Sequence, residues 1–235
     1  MPKTMPIAAL IAALLVHHAS VAESSFVEVA GGYGNSAQAT QAYSAVDDIG
    51  EVMTGLAIKR ATVVGSSANG GRAMAFALDH PEAVDALIVS GPSVPGVPFS
   101  EDFLKLLSPF GESVVKGDLP GAIAAVEQCP YCVAAGNDKA KQELMALLRA
   151  RPHNLQMRPL QKSGVSIVAR LSELKMRTLV IVGDSDHDNN LNHARIAHQM
   201  IPQSAFVTMK NAGHLPYLEH PREFAELVIA FMGRR

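Results

Sequence analysis

The 235-residue chain has no tryptophan, and only 5% of its residues are aromatic, so it has few flat side chains from which to build a base-stacking groove or a sugar platform. Its two cysteines are too few for a disulfide-built scaffold. There is no block of lysine and arginine, and the formal net charge is -2, which argues against nucleic acid or an anionic membrane as the main partner. The longest apolar run, residues 7–16, is too short to span a bilayer, so no stable membrane anchor is expected. Internal repeats and low-complexity tracts are also missing. What remains is a chain that is 48% hydrophobic and 18% charged, suited to one sizeable domain with a buried core and a small-molecule partner.

Lys3, the run 7–16 and then His17-His18-Ala19-Ser20-Val21-Ala22 follow the layout of a secretory signal peptide, with Ser20 and Ala22 at the peptidase positions. Residues 1–22 are therefore expected to direct the chain to the periplasm or outside the cell. The competing expectation is a core helix in a cytoplasmic protein, since Ile7, Leu10, Ile11, Leu14 and Leu15 share one helical face.

Residues 25–32 alternate like a strand ending in glycines, and Tyr33-Gly34-Asn35-Ser36 reads as a loop. Ser44-Ala45-Val46-Asp47 is a capping-box pattern ahead of the apolar face Ile49, Val52, Met53 and Leu56. A strand over 61–65, a helix over 71–80 and a strand over 84–90 then predict a parallel pair with a crossover helix. Residues 95–166 lack a convincing strand and break at Gly117, Pro120, Pro130 and Pro152, the pattern of a helical insertion. Alternation resumes with a strand over 177–183, a helix over 192–200, a strand over 205–209 and a helix over 223–232.

Three loops after strand C-termini carry chemistry, and that edge of a parallel sheet is where catalytic groups collect. The first holds Ser66 and Ser67, the second Asp184, Asp186 and Asp188, and the third His214. A serine hydroxyl is a weak nucleophile at neutral pH. It needs a histidine to take its proton and a carboxylate to hold the imidazole tautomer.

The pieces Tyr33-Gly34-Asn35-Ser36, residues 61–72, Phe76-Ala77-Leu78-Asp79-His80-Pro81-Glu82, Leu179-Val180-Ile181-Val182-Gly183-Asp184-Ser185-Asp186, Asn211-Ala212-Gly213-His214-Leu215-Pro216 and Glu219-His220-Pro221 occur in one order. In that order the chain resembles an α/β-hydrolase-fold serine hydrolase with a helical cap, over nearly everything from Tyr33 onward. The resemblance implies an α/β fold with a mostly parallel central sheet, flanking helices, a core of residues 23–94 and 167–235, and a cap of residues 95–166. It also implies Asp186 as the acid and His214 as the base, and hydrolysis of a small ester or related acyl compound without cofactor or metal. The alternative is an inactive, truncated homologue or a small-ligand binder. Three further strands and a His-Gly loop that such proteins carry between the first strand and the Gly-x-Gly-x-Ser loop have no counterpart here. That loop supplies half of the oxyanion hole, so only the Ala68 N–H can be named as an oxyanion donor.

The elbow holds one residue more than the family's G-x-S-x-G-G. Counting from the strand makes Ser67 the nucleophile; counting back from Gly70-Gly71 puts Ala68 there. The first count is preferred because a helix start absorbs a residue more easily than a central strand shifts, and Asn69 tolerates unusual backbone angles.

Other signals have plainer readings. Cys129-Pro130-Tyr131-Cys132 has redox-motif spacing but lies between helical segments rather than in a βαβ unit, so a cap disulfide or two spectator thiols are expected ahead of thiol exchange. The cluster of Asp184, Asp186, Asp188, His187 and His193 fails the calcium-loop template, with Asn189 at its glycine and Arg195 at its glutamate. Phe103, Leu104, Leu106, Leu107 and Phe110 fit the cap's own core or an acyl pocket, and Arg151 and Arg158 fit solvated arginines or a carboxylate clamp.

Overall fold

The computed structural model describes residues 39–233. The expected signal segment, the strand over 25–32 and the loop 33–36 lie outside the described residues. Helix α1 (Asp47–Gly55) leads to β1 (Ala61–Ser66), α2 (Ala68–Asp79), a 3₁₀ turn (Pro81–Ala83) and β2 (Val84–Ser90). Helices α3 (Glu101–Lys116), α4 (Leu119–Glu127) and α5 (Asp138–Ala150) follow, with 3₁₀ turns at Pro152–Leu155 and Val168–Glu173. Then come β3 (Arg177–Gly183), α6 (Asp188–Met200), β4 (Ala205–Met209), α7 (Pro216–Glu219) and α8 (Pro221–Gly233).

The four strands form one parallel sheet in the order β1-β2-β3-β4. Burial on both faces explains the near-continuous apolar sequences of β2 and β3, whereas β1 and β4 are partly exposed. Leu87, Val89, Val180 and Val182 turn to one face, covered by Met74, Phe76 and Ala77 of α2 and by Ala194 and Ala197 of α6. Ile88, Leu179 and Ile181 turn to the other, against Phe224, Leu227 and Phe231 of α8. Among the described residues nothing pairs with the outer edge of β1, where Val64 is 52% exposed.

Between β2 and β3 the chain forms a helical layer with a core of its own, in which Phe103, Leu107, Phe110, Val126, Leu144 and Leu148 pack together. Leu215 and Leu218, from the loop and short helix after β4, belong to the same cluster, so this layer sits on the His214 loop. Its two ends meet at one carbonyl: Pro95 O accepts the N–H groups of Ile167 at 2.9 Å and Val168 at 3.2 Å. Arg158 is buried rather than solvated and donates to the carbonyls of Gln156 and His153.

Helices α2 and α6 start three or four residues earlier than the sequence pattern suggests. Helix α2 begins at Ala68 rather than near Gly71, because the Ser67 carbonyl takes the Gly70 N–H at 3.0 Å and so opens the helix directly after the strand. Helix α6 begins at Asp188 rather than Asn192. There the His187 ring nitrogen accepts from Asn189 N at 3.1 Å, and the Asn189 and Asn190 side chains are engaged elsewhere in the fold.

Candidate active site

Because all strands run in parallel, the segments leaving β1, β2, β3 and β4 emerge on one edge of the sheet. Ser67 is the residue between β1 and α2, with φ 57° and ψ -125°. That strained turn is held by four backbone bonds: Ser67 N–H to Ser90 O at 2.9 Å, Ser93 N–H to Ser67 O at 2.9 Å, and the helix-opening bonds to Ser67 O from Gly70 and, at 3.4 Å, from Gly71. Gly65 has no substitute here, since a Cβ on it would overlap the Asn69 carbonyl. The extra residue of the elbow therefore falls inside the first turn of α2, and Ser67, not Ala68, occupies the bend. Asn69 is helical, and its side-chain oxygen accepts from the Arg72 guanidinium. Ser66 ends β1 and donates to the Tyr217 hydroxyl at 3.4 Å.

Ser67 Oγ stands 2.8 Å from His214 Nε2, and His214 Nδ1 stands 2.7 Å from Asp186 Oδ2. The carboxylate can only accept, so Nδ1 carries the proton and Nε2 is left as the acceptor for the serine hydroxyl. All three groups are buried, with exposures of 1%, 2% and 7%. The three aspartates of this loop separate by environment. Asp184 faces outward with Lys210 at 3.5 Å, and Asp188 is exposed at the start of α6. Asp186 turns in, and its second oxygen accepts the His187 N–H and the Asn190 side-chain amide, each at 2.7 Å.

Several contributors to this site escape a reading of the sequence. Gly91, with φ 48°, lies under the imidazole, and a Cβ there would sit 3.1 Å from both His214 Cε1 and Nδ1. Tyr131 accepts the His214 backbone N–H at 2.8 Å on its carbonyl and sets its ring edge-on to the imidazole, 5.9 Å between centroids. Burial and the nearby Asp186 carboxylate push the Tyr131 phenol well above its ordinary range, so it stays neutral. Glu219 ties two loops together, accepting Gly213 N–H on one oxygen and Ala134 N–H on the other, both at 2.7 Å. Its carboxyl is raised from the usual range by burial, which those bonds offset in part. Asn190, which holds Asp186 from the first turn of α6, is another, and only its closeness to Asp186 in the sequence hints at the role. His193 turns from the aspartates: its Nδ1 accepts the Val94 N–H at 3.0 Å and its ring stacks on Phe99.

A serine at the strand-to-helix bend, joined through histidine to a carboxylate, is accompanied by a match of residues 9–227 to the family profile described as "Alpha/beta hydrolase family". The chain belongs to the alpha/beta hydrolase family. Its curated relatives in the family include a 2-hydroxy-6-oxononadienedioate/2-hydroxy-6-oxononatrienedioate hydrolase of Paraburkholderia phymatum, 27% identical over 78% of this chain and 66% of that protein. Monoacylglycerol lipase ABHD6 of Rattus norvegicus is 27% identical over 73% of this chain and 54% of its own length. The chain thus spans about two thirds of the first relative and about half of the second. Among solved family structures, an esterase from Exiguobacterium antarcticum superposes with a TM-score of 0.70 at 21% identity, covering 86% of this chain and 78% of that one. A bromoperoxidase from Bacillus anthracis gives 0.70 at 20% identity, covering 86% and 79%. At these identities the structural likeness speaks for the fold.

Proposed function

We propose that the protein is a serine hydrolase acting on a small ester or related acyl compound, with Ser67 as nucleophile, His214 as general base and acid, and Asp186 as the group that orients His214. The observation that carries this reading is the unbroken chain Ser67 Oγ to His214 Nε2 at 2.8 Å and His214 Nδ1 to Asp186 Oδ2 at 2.7 Å. Relatives named as a lipase and a dienedioate hydrolase support hydrolysis as the reaction, and the lipase supports an ester as the substrate.

In this scheme Ser67 Oγ attacks the substrate carbonyl while its proton passes to His214 Nε2. The imidazolium is stabilised by Asp186, and the oxyanion accepts a hydrogen bond from Ala68 N–H, the first amide of α2. Collapse of the tetrahedral intermediate breaks the bond to the leaving alcohol, which takes the proton from His214. Water then attacks the acyl-serine, gives its proton to His214, and releases the carboxylic acid as that proton returns to Ser67. No cofactor or metal takes part.

The test is labelling with a fluorophosphonate probe together with turnover of a p-nitrophenyl ester. The wild-type protein is expected to do both, and Ser67→Ala neither, with the residual rate down at least ~10³-fold. Turnover retained by Ser67→Ala would overturn the assignment. A wild-type protein that takes no label would favour the inactive homologue or small-ligand binder. Export to the periplasm or beyond is proposed alongside, in keeping with the Cys129–Cys132 disulfide, and the intact mass of recovered protein tests whether residues 1–22 are removed.

A further inference from the structure

The Cys129-Pro130-Tyr131-Cys132 segment has redox-motif spacing but no part in ester hydrolysis. In the structure its cysteines are joined as a disulfide between α4 and α5. The ring so closed holds Tyr131, which meets the candidate active site through both backbone and side chain. Its carbonyl takes the His214 N–H at 2.8 Å, and its aromatic ring packs edge-on against His214 and His187 and tilted against Phe103. Two residues beyond the disulfide, Ala134 N–H is tied by Glu219 to the amide of Gly213. The disulfide segment and the His214 loop are thus joined twice, by a backbone hydrogen bond from within the disulfide ring and, just beyond it, through the Glu219 carboxylate.

The two sulfurs are unequal in access. Cys132 is buried, whereas Cys129 is half-buried and lines a cavity of about 400 Å³ together with Leu106, Pro109, Phe110, Gln128 and Tyr131. An incoming thiolate therefore reaches Cys129 first, and access decides which sulfur is attacked.

We propose that the Cys129–Cys132 disulfide is a redox control point for the site, with Tyr131 as a positioning residue that holds His214 in register with Ser67 only while the disulfide is closed. This rests on the reading of Ser67 and His214 as nucleophile and base. The reductant is a dithiol. One of its thiolates attacks Cys129 Sγ, the sulfur–sulfur bond breaks, and Cys132 leaves as a thiolate that takes up a proton. The second thiolate of the reductant then displaces Cys129, which is protonated in turn. The protein gains two electrons and two protons, and the dithiol becomes a cyclic disulfide. Tyr131 then lies in an open loop, its carbonyl no longer fixed against the His214 amide. A base displaced by a fraction of an ångström slows proton transfer without weakening substrate binding.

The experiment compares the full chain oxidised, reduced with dithiothreitol, reoxidised, and as the Cys129→Ser/Cys132→Ser double variant. Two readouts are taken: hydrogen–deuterium exchange of peptides covering residues 211–219, with residues 84–90 as control, and kinetics on a p-nitrophenyl ester. Reduction is expected to speed exchange in 211–219 and leave 84–90 unchanged. It should also lower kcat roughly tenfold at nearly constant KM, with reoxidation restoring it. Equal exchange in both states overturns the proposal, and so does faster exchange with unchanged kcat. Exchange rising in the control segment as well marks a disulfide that only holds the fold, and likewise overturns it. Absence of turnover and of fluorophosphonate labelling in the oxidised protein counts against the hydrolase reading instead, while the exchange difference still decides whether the disulfide governs the His214 loop.

Discussion

The side-chain amide of Asn190, in the first turn of α6, donates at 2.7 Å to Oδ1 of Asp186 in the loop that precedes the helix. The same nitrogen stands 3.2 Å from His214 Nδ1. Both atoms carry hydrogens when Nδ1 donates to Asp186, so this second approach is a contact and not a bond. The amide orientation follows, because an oxygen in place of Nδ2 would face the Asp186 carboxylate.

Asn190 is therefore expected to keep Asp186 aimed at the imidazole. Removing a hydrogen bond to a charged group costs about 1.5–3 kcal/mol, an upper bound on what can be felt in the transition state. Asn190→Ala should lower kcat roughly tenfold with KM little changed. Asn190→Asp, which sets a second carboxylate against the first, should lower it further. Steady-state kinetics on a p-nitrophenyl ester measure both, and an unchanged kcat in Asn190→Ala would remove the residue from the positioning machinery.

Gly91→Ala probes the floor beneath the imidazole. The new Cβ would press on His214 Cε1 and Nδ1 at 3.1 Å and on Asp186 Oδ2 at 3.4 Å, from a backbone whose φ of 48° already disfavours alanine. Stability should fall by about 1 kcal/mol from the backbone alone. Turnover should fall by roughly tenfold or more, because the imidazole must move by a few tenths of an ångström. Urea denaturation and kinetics on the same preparation separate the two effects.

Stability should also fall in mild acid through His193, whose pKa is lowered by burial, an effect that the Pro98 carbonyl only partly opposes. The folded protein keeps this ring neutral, while the unfolded chain takes up a proton near the ordinary value of about 6.5. Above that pH both states are neutral and the contribution is complete. As the pH falls below it, the unfolded state binds more protons and stability is lost until the depressed folded value is passed. The urea midpoint is expected to drop between pH 7.5 and 5.5. His193→Asn, which retains an acceptor for the Val94 N–H, should flatten that drop, and an identical slope in the variant would refute the assignment.

The sheet was legible because its strands are short apolar runs that a doubly covered parallel sheet requires, as in Leu179-Val180-Ile181-Val182. Helix starts were less so. Asn189-Asn190 has the local chemistry of a loop, yet both residues are helical, since Asn189 Oδ1 takes the Ser100 N–H at 2.8 Å and Asn190 holds Asp186. Gly70 and Gly71 likewise disfavour a helix by propensity, but the fixed Ser67 carbonyl starts one before them.

Spacing and periodicity, being local, were enough to determine the parallel α/β order and to bring a serine loop, an acidic loop and His214 to one edge of the sheet. Which residue takes the bend and which aspartate turns inward are not local properties. Asp184, Asp186 and Asp188 have the same side chain, and only the tertiary structure buries Asp186 beside His214 while leaving the other two facing water. Ser67 and Ala68 compete for one turn, and the bonds to Ser90 at the end of β2 and to Ser93 just beyond it settle it for Ser67. Burial and long-range hydrogen bonding depend on neighbours distant in the chain, and those exist only once it has folded.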